Sequence, residues 1–304
     1  MKGIHYISQQ HIDKQLWDAC INRSGNGLLY AQSVYLDAMA ENWDALVMGN
    51  YDAVMPLTWR KKMGISYLYQ PAFTASLGVF APVISMALFQ QFIAAIPARF
   101  KYADVYLNHQ NLYTAPNCKY YQRSNYVLQL DNEYPKLYNT YRQNIKRNVV
   151  RAVKMQCSFT QQVRPEEVID LAIRYTPANR FLSAAEYQRL LRLYQQLNNV
   201  GQATAYAVKS DKDDLLSSAL FLNDERRIYY ILPGNHPNSK TVGASHFLID
   251  QVIKLHAGKP LLLDFEGSDI KSLAFFYSSF GAQHQPYGAL QFNRLPALVK
   301  WLKP

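Results

Sequence analysis

Apolar positions recur at helical spacing over residues 12–23, at Ile12, Leu16, Ala19 and Cys20, and Gly25 and Gly27 stop the pattern. A second short helix is expected at 32–39. The pattern then shortens to strand-like runs at 45–49, 53–61 and 66–70, punctuated by Asn50 and by Lys62-Met63-Gly64. An apolar helix lies between Pro82 and Pro97. Strands follow at 103–107 and 120–130, the latter with Tyr126, Leu128 and Leu130 on one face. Tyr138, Tyr141, Ile145, Val149 and Ala152 return to helical spacing and predict an amphipathic helix or helix pair. A strand at 157–163 and helices at 165–175 and 184–197 come next, with Ser183 and Glu186 at capping-box spacing. Three strands joined as hairpins (203–209, 215–222, 226–232) lead through a polar loop to a helix at 244–256 that ends at Gly258. An apolar strand at 261–265 precedes a helix at 269–280, for which Ser268 is the expected N-cap and Gly281 the stop. A strand at 283–292 and a short closing helix at 296–301 complete the chain.

The two halves repeat one order of elements: helices, consecutive strands, a helix, a strand, a further strand. This predicts an α+β protein of two similar modules in tandem, residues 1–130 and 131–304. About the last 15 residues are expected to pack back on the first module.

Length agrees with that division, since 304 residues suit two domains. A hydrophobic share of 49% with 18% charged residues is that of a packed globular chain and excludes disorder, collagen and coiled coil. The charge is less ordinary. There are 32 Lys and Arg against 22 Asp and Glu, a net of +10. Residues 1–130 carry 10 basic and 7 acidic side chains, and residues 131–304 carry 22 and 15. Between Tyr134 and Pro165 there is no acid, while Lys136, Arg142, Lys146, Arg147, Arg151, Lys154 and Arg164 all fall there. The excess charge is therefore concentrated on the helical opening of the second module. The 23 Tyr residues read mostly as strand packing.

Cys20, Cys118 and Cys157 form neither a disulfide framework nor a zinc pattern, which points to the cytoplasm. No apolar signal-peptide core is seen near Met1, and the helix between Pro82 and Pro97 is too short to span a bilayer. A basic surface still leaves peripheral membrane contact open. His236, His246 and His256 lack ligand spacing, so no metal is expected. No HExxH, GxSxG or Walker pattern occurs.

Three segments can carry chemistry. Lys240-Thr241-Val242-Gly243-Ala244-Ser245 is a degenerate pyrophosphate loop at a helix start, with Lys240, Gly243, Ala244 and Ser245 as candidate donor-binding residues; a plain strand-to-helix connection is the alternative. Asp264 and Glu266 leave an apolar strand just before a helix, two residues apart, where a carboxylate can orient or deprotonate an amine; capping, or pairing with an arginine, is the alternative. Arg142, Lys146, Arg147, Arg151 and Lys154 form a cationic helix face suited to RNA or another anion, or simply to solvent.

The run Asp264-Phe265-Glu266-Gly267-Ser268, then Phe275-Phe276-Tyr277-Ser278-Ser279-Phe280-Gly281-Ala282, Pro286-Tyr287 and Asn293-Arg294-Leu295-Pro296, resembles the C-terminal end of the FemABX-like family. Tyr141 to Asn148 is similar to the basic helix that opens that family's second domain, and Ala53 to Leu57 with Gln70-Pro71 to the matching part of the first. The resemblance implies two tandem GNAT-like modules, each a mixed, mostly antiparallel sheet flanked by helices. It implies transfer of an acyl or aminoacyl group, from acyl-CoA or aminoacyl-tRNA as co-substrate, to an amine on a peptide, glycan or cell-wall precursor. It also implies that tRNA is a candidate partner. The chain departs in lacking the long helical insertion of some tRNA-using members, and in having Lys240 and Ser245 at two positions of the acyl-CoA loop. Glu266, Asp264 and Tyr229 are the candidates for taking the amine proton, with a backbone N–H on strand 228–232 meeting the oxyanion where neighbouring strands splay. The alternatives are a catalytically silent glycan- or peptide-binding protein on the duplicated fold and a nonspecific RNA binder.

Overall fold

A computed structural model describes residues 3–176, 182–267 and 269–296. The expected N-cap Ser268 and the closing helix beyond Pro296 lie outside the described residues. The chain forms two compact units, one running to Arg123 and resumed from Pro286 onward, the other Ser124–Gln285.

The first unit holds a seven-stranded sheet. Its order is β1 (Ile4–Ile7), β2 (Asn42–Met48), β3 (Ala53–Lys62), β4 (Ile65–Leu68), β5 (Phe100–Tyr106), β14 (Tyr287–Asn293), β6 (Lys119–Arg123). Among these described strands, β4 and β5 alone pair in parallel. Helices α1 (Lys14–Arg23), α2 (Ser33–Met39) and α3 (Met86–Ala94) accompany it. Asp13 caps α1 by accepting from the N–H groups of Gln15 and Leu16, and Ser85 caps α3 through Leu88. Phe89, Phe92 and Ile93 of α3 are buried against Leu57, Phe100 and Leu107. Beyond the β4/β5 pair, the chain itself bridges the sheet: the Leu77 N–H donates to Tyr106 O (2.8 Å) and the Asn108 N–H to Leu77 O (2.7 Å).

The second unit repeats the plan. Its elements are β7 (Tyr126–Gln129), α4 (Tyr134–Thr140), α5 (Gln143–Lys154), β8 (Ser158–Thr160), α6 (Pro165–Tyr175), α7 (Ala184–Asn198), β9 (Ala203–Lys209), β10 (Leu215–Asn223), β11 (Arg227–Asn235), α8 (Ser239–Val242), α9 (Ala244–His256), β12 (Leu262–Asp264), α10 (Lys271–Ser278) and β13 (Gln283–His284). The sheet order is β13-β7-β12-β11-β10-β9-β8, and again one pair, β11/β12, is parallel. Ile145, Val149 and Ala152 of α5 turn into a core with Leu248 and Val252 of α9, Leu128, Tyr230 and Leu263 of the strands, and Phe265 just after β12. The Ser183–Glu186 capping box forms at the start of α7.

Two expected strands are each divided. The run 120–130 is β6 in the first sheet and β7 in the second, parted at Ser124-Asn125. Asn125 holds that corner by accepting the N–H groups of Tyr126 (2.7 Å) and Gly267 (2.6 Å) on its side-chain oxygen. The run 283–292 is β13 and β14, parted at Gln285-Pro286, where proline removes a ladder donor. The chain thus divides after Arg123 rather than after Leu130. Strand β1 was not expected from sequence, and the helical run from Tyr134 is a pair, α4 and α5.

Candidate active site in the second unit

Strands β11 and β12 run side by side for three residues only: Arg227 opposite Leu262, Ile228 opposite Leu263, Tyr229 opposite Asp264. There β12 ends, while β11 continues to Asn235. The Phe265 N–H donates instead to Tyr126 O (3.0 Å), so the chain after β12 follows β7 and leaves β11. On its other side β11 pairs with β10 as Leu220 with Leu232 and Phe221 with Tyr230, which makes Ile231 an extra, bulged residue. A bulge re-aims backbone groups, and it falls two residues past the point where the strands part.

Asp264 stands at that point. Arg227 donates to it at 2.7 Å, and both side chains are buried, at 8% and 7% exposure. The Asn125 side chain (2.8 Å) and the Glu266 N–H (3.0 Å) donate to the other Asp264 oxygen. Arg227 also donates to the Gln285 side chain at 3.2 Å. Burial alone would lower the Arg227 pKa, but Asp264, with Tyr229 and Asp224 beside it, outweighs this and the net shift is upward. The Tyr229 phenol donates to Asp224 at 2.6 Å. Asp264 and Tyr229 are therefore already engaged, Asp264 with an arginine as the sequence alternative anticipated.

Glu266 follows in a left-handed backbone conformation (φ 67°), rare for a residue with a side chain. It is half-buried, and its charge adds to burial in raising the pKa of Tyr277. Tyr277 stacks on Phe265 at 4.7 Å and meets Tyr230 edge-on at 6.5 Å. Burial, with Tyr277 next to it, raises the Tyr230 pKa as well, so both phenols keep their protons. Tyr230 belongs to the strand tyrosines that the sequence reads as packing, and Tyr277 is marked in the sequence only by the FFYSSFGA run.

The loop candidates lie beyond the far end of β11. From Tyr229 to Asn235 is six residues, about 20 Å of strand, before α8 and α9 begin. Lys240 is exposed, Ser245 half-buried, and Gly243 and Ala244 are buried. Gly243 (φ 82°) ends α8 and starts α9, and a Cβ there would collide with the carbonyl oxygen of Asn148 on α5. That helix contact accounts for the glycine. His246, one turn into α9, lies near Asn148 (3.5 Å) and against Phe276 (5.0 Å). Burial, with Arg151 near, pushes its pKa down to about 4.

Of the cations on the basic helix, Arg142 lies over Phe275 at 4.7 Å, Lys146 over Tyr138 at 5.4 Å, and Arg151 donates to Thr241 O at 3.4 Å. Arg147, Arg151 and Lys154 are exposed. Among the described residues no group of three or more His, Cys, Asp or Glu side chains is placed to hold a metal ion, and no helix is long and apolar enough to cross a membrane.

Two sheets of this order, each mostly antiparallel with one parallel pair of strands, define a tandem GNAT fold. The chain has the FemX-type form of it: a crystal structure of FemX matches 98% of this chain and 99% of that one at a TM-score of 0.67 and 15% identity. A tandem GNAT protein from the clavulanic acid biosynthesis pathway matches 97% of this chain and 100% of that one (TM-score 0.56, 9% identity). L-PGS from Bacillus licheniformis matches 94% and 93% (TM-score 0.55, 9% identity). At these identities the likeness is one of fold. No protein-family profile matches the sequence, and no curated protein does.

Proposed function

We propose that the second unit transfers an acyl or aminoacyl group from an activated donor, a CoA thioester or a tRNA ester, to an amine. The observation that carries this reading is the parting of β11 from β12 after Tyr229 and Asp264, with Ile231 bulged beside the gap. A slot between parting strands admits an extended donor, and a re-aimed backbone N–H is a ready donor to an oxyanion. The amine nitrogen attacks the carbonyl carbon and forms the C–N bond. The oxyanion collapses, the C–S or C–O bond breaks, and the leaving sulfur or oxygen takes a proton. The amine proton goes to Glu266, while Asp264 and Tyr229 hold the strand ends that frame the slot. One oxyanion donor contributes about 2.7–4 kcal/mol to such a step, and alignment of the reactants about 7–11 kcal/mol.

Gly243, Ala244 and Ser245 at the start of α9, with Lys240 on α8 just before it, mark the place for a CoA pyrophosphate. The Gly243–Asn148 contact weighs toward the ester donor, because α5 occupies one side of that helix start. The free thiols Cys20, Cys118 and Cys157 suit a reaction in the cytoplasm. The acceptor is an amine on a peptide, a glycan or a cell-wall precursor.

The test is single-turnover transfer from labelled acetyl-CoA and, separately, from labelled aminoacyl-tRNA onto lysine-bearing peptides. Amide-linked label that is lost in Glu266→Gln supports the reading. Failure of both donors to yield amide above the uncatalysed rate overturns it. A second reading, a silent glycan- or peptide-binding protein, is favoured by the engagement of Asp264 with Arg227 and of Tyr229 with Asp224. It predicts ligand binding that Glu266→Gln leaves unchanged.

A further inference from the structure

The outward face of α5 is unusual for a merely solvated helix. Arg147, Val150 and Lys154 follow at i, i+3 and i+7 along its crest, opposite the buried Ile145, Val149 and Ala152. Val150 is 47% exposed, Val153 58% and Met155 52%. Apolar side chains thus alternate with cations on one outward surface. Among the described residues none of Arg147, Arg151 and Lys154 is in an ion pair, and the sequence from Tyr134 to Pro165 offers no acid to make one. Asp269, on the approach to α10, accepts the Ser124 N–H.

The surface continues past the helix start. The Arg142 N–H donates to Ser279 O at 2.9 Å, and its guanidinium covers the ring of Phe275, itself 52% exposed. Ile270 and Leu273 on the same segment are 59% and 39% exposed. Among the described residues of the second unit, six of the nine exposed large apolar ones are on these two segments, so the exposure is concentrated and not scattered.

We infer that this face docks on an anionic lipid surface, with α5 lying in the plane of the headgroups. The cations match lipid phosphates, and Val150, Val153, Met155 and Phe275, exposed between them while the apolar face of α5 stays in the core, enter the interface. RNA fits less well. It would satisfy Arg147, Arg151 and Lys154 but leave Val150, Val153 and Met155 against sugar and phosphate, where they gain nothing. The inference is independent of the transfer reaction.

The experiment is co-sedimentation of the full chain with phosphatidylglycerol vesicles and with phosphatidylcholine vesicles, beside a filter-binding assay with bulk tRNA. Binding to phosphatidylglycerol alone is expected, weakening as salt is raised. Each of Arg147→Ala and Lys154→Ala lowers it about fivefold. Val150→Ser and Val153→Ser lower it about threefold each and leave tRNA retention unchanged. All four positions are exposed, so folding is not at stake. Equal binding to both vesicles, indifference to the valine changes, or tRNA retention through Arg147 and Lys154 without vesicle binding would each overturn the proposal.

Discussion

Arg227 and Asp264 meet at 2.7 Å, buried, on neighbouring parallel strands at the place where those strands separate. Removing one partner leaves a charge with no counterion in a dry site. Asp264→Ala is therefore expected to destabilise the protein by about 3–5 kcal/mol, measured as a lower urea midpoint. A loss below about 1 kcal/mol would mean that the pair is hydrated and does not hold the strand ends.

Gly243 and Gly201 separate two costs of replacing a left-handed glycine. Both have positive φ, 82° and 73°, but a Cβ on Gly201 meets nothing within 4 Å, whereas one on Gly243 strikes Asn148. Gly201→Ala should cost about 1 kcal/mol. Gly243→Ala should cost at least twice as much, because α5 must also shift. Thermal melts of the two variants give the comparison, and equal shifts would contradict the helix contact.

The second unit should lose stability in mild acid. His246 has a folded pKa of about 4, below its ordinary 6.5, and burial puts His256 at about 4 as well. Between those values the unfolded chain binds protons that the folded chain refuses, so stability rises with pH across roughly pH 4–6.5 and falls as pH is lowered through that window. The contribution of His246 is of the order of 3 kcal/mol. Denaturation midpoints at pH 7 and pH 5 should converge partly in His246→Phe, and an unchanged difference would count against it.

Glu266 combines a strained backbone with the proposed proton-accepting role. Glu266→Gly should raise stability by about 1 kcal/mol and, if the transfer reading holds, lower single-turnover transfer by a factor of about 100 or more. A variant that is both less stable and fully active would remove Glu266 from the site on both counts.

Local pattern carried much of the second unit. The strands β9 and β10 and the helix α9 lie where alternation, turn residues and the stop at Gly258 place them, whereas β11 runs three residues past its expected end, to Asn235. What escaped was set by distant neighbours. The partner of Asp264 is 37 residues away on the adjoining strand. The reason for Gly243 is Asn148, 95 positions earlier and on another helix. The break at Ser124-Asn125 interrupts a run whose composition stays strand-like on both sides, so the sheet each half joins reveals it, whereas Pro286 marks the other break in the sequence itself. Glu266 was legible as a residue of interest, but its left-handed backbone was not, since nothing local demands it.

Strand β14 lies between β5 and β6 in the first sheet. During synthesis, residues up to Arg123 emerge first, yet β6 has no place in that sheet until the chain has been made past Asn293. At ribosomal speed that is a wait on the order of ten to thirty seconds. The second unit, contiguous from Ser124 to Gln285, can close sooner. The part translated first is thus the part finished last, and for that interval the outer edge of β5 is left open to any passing strand.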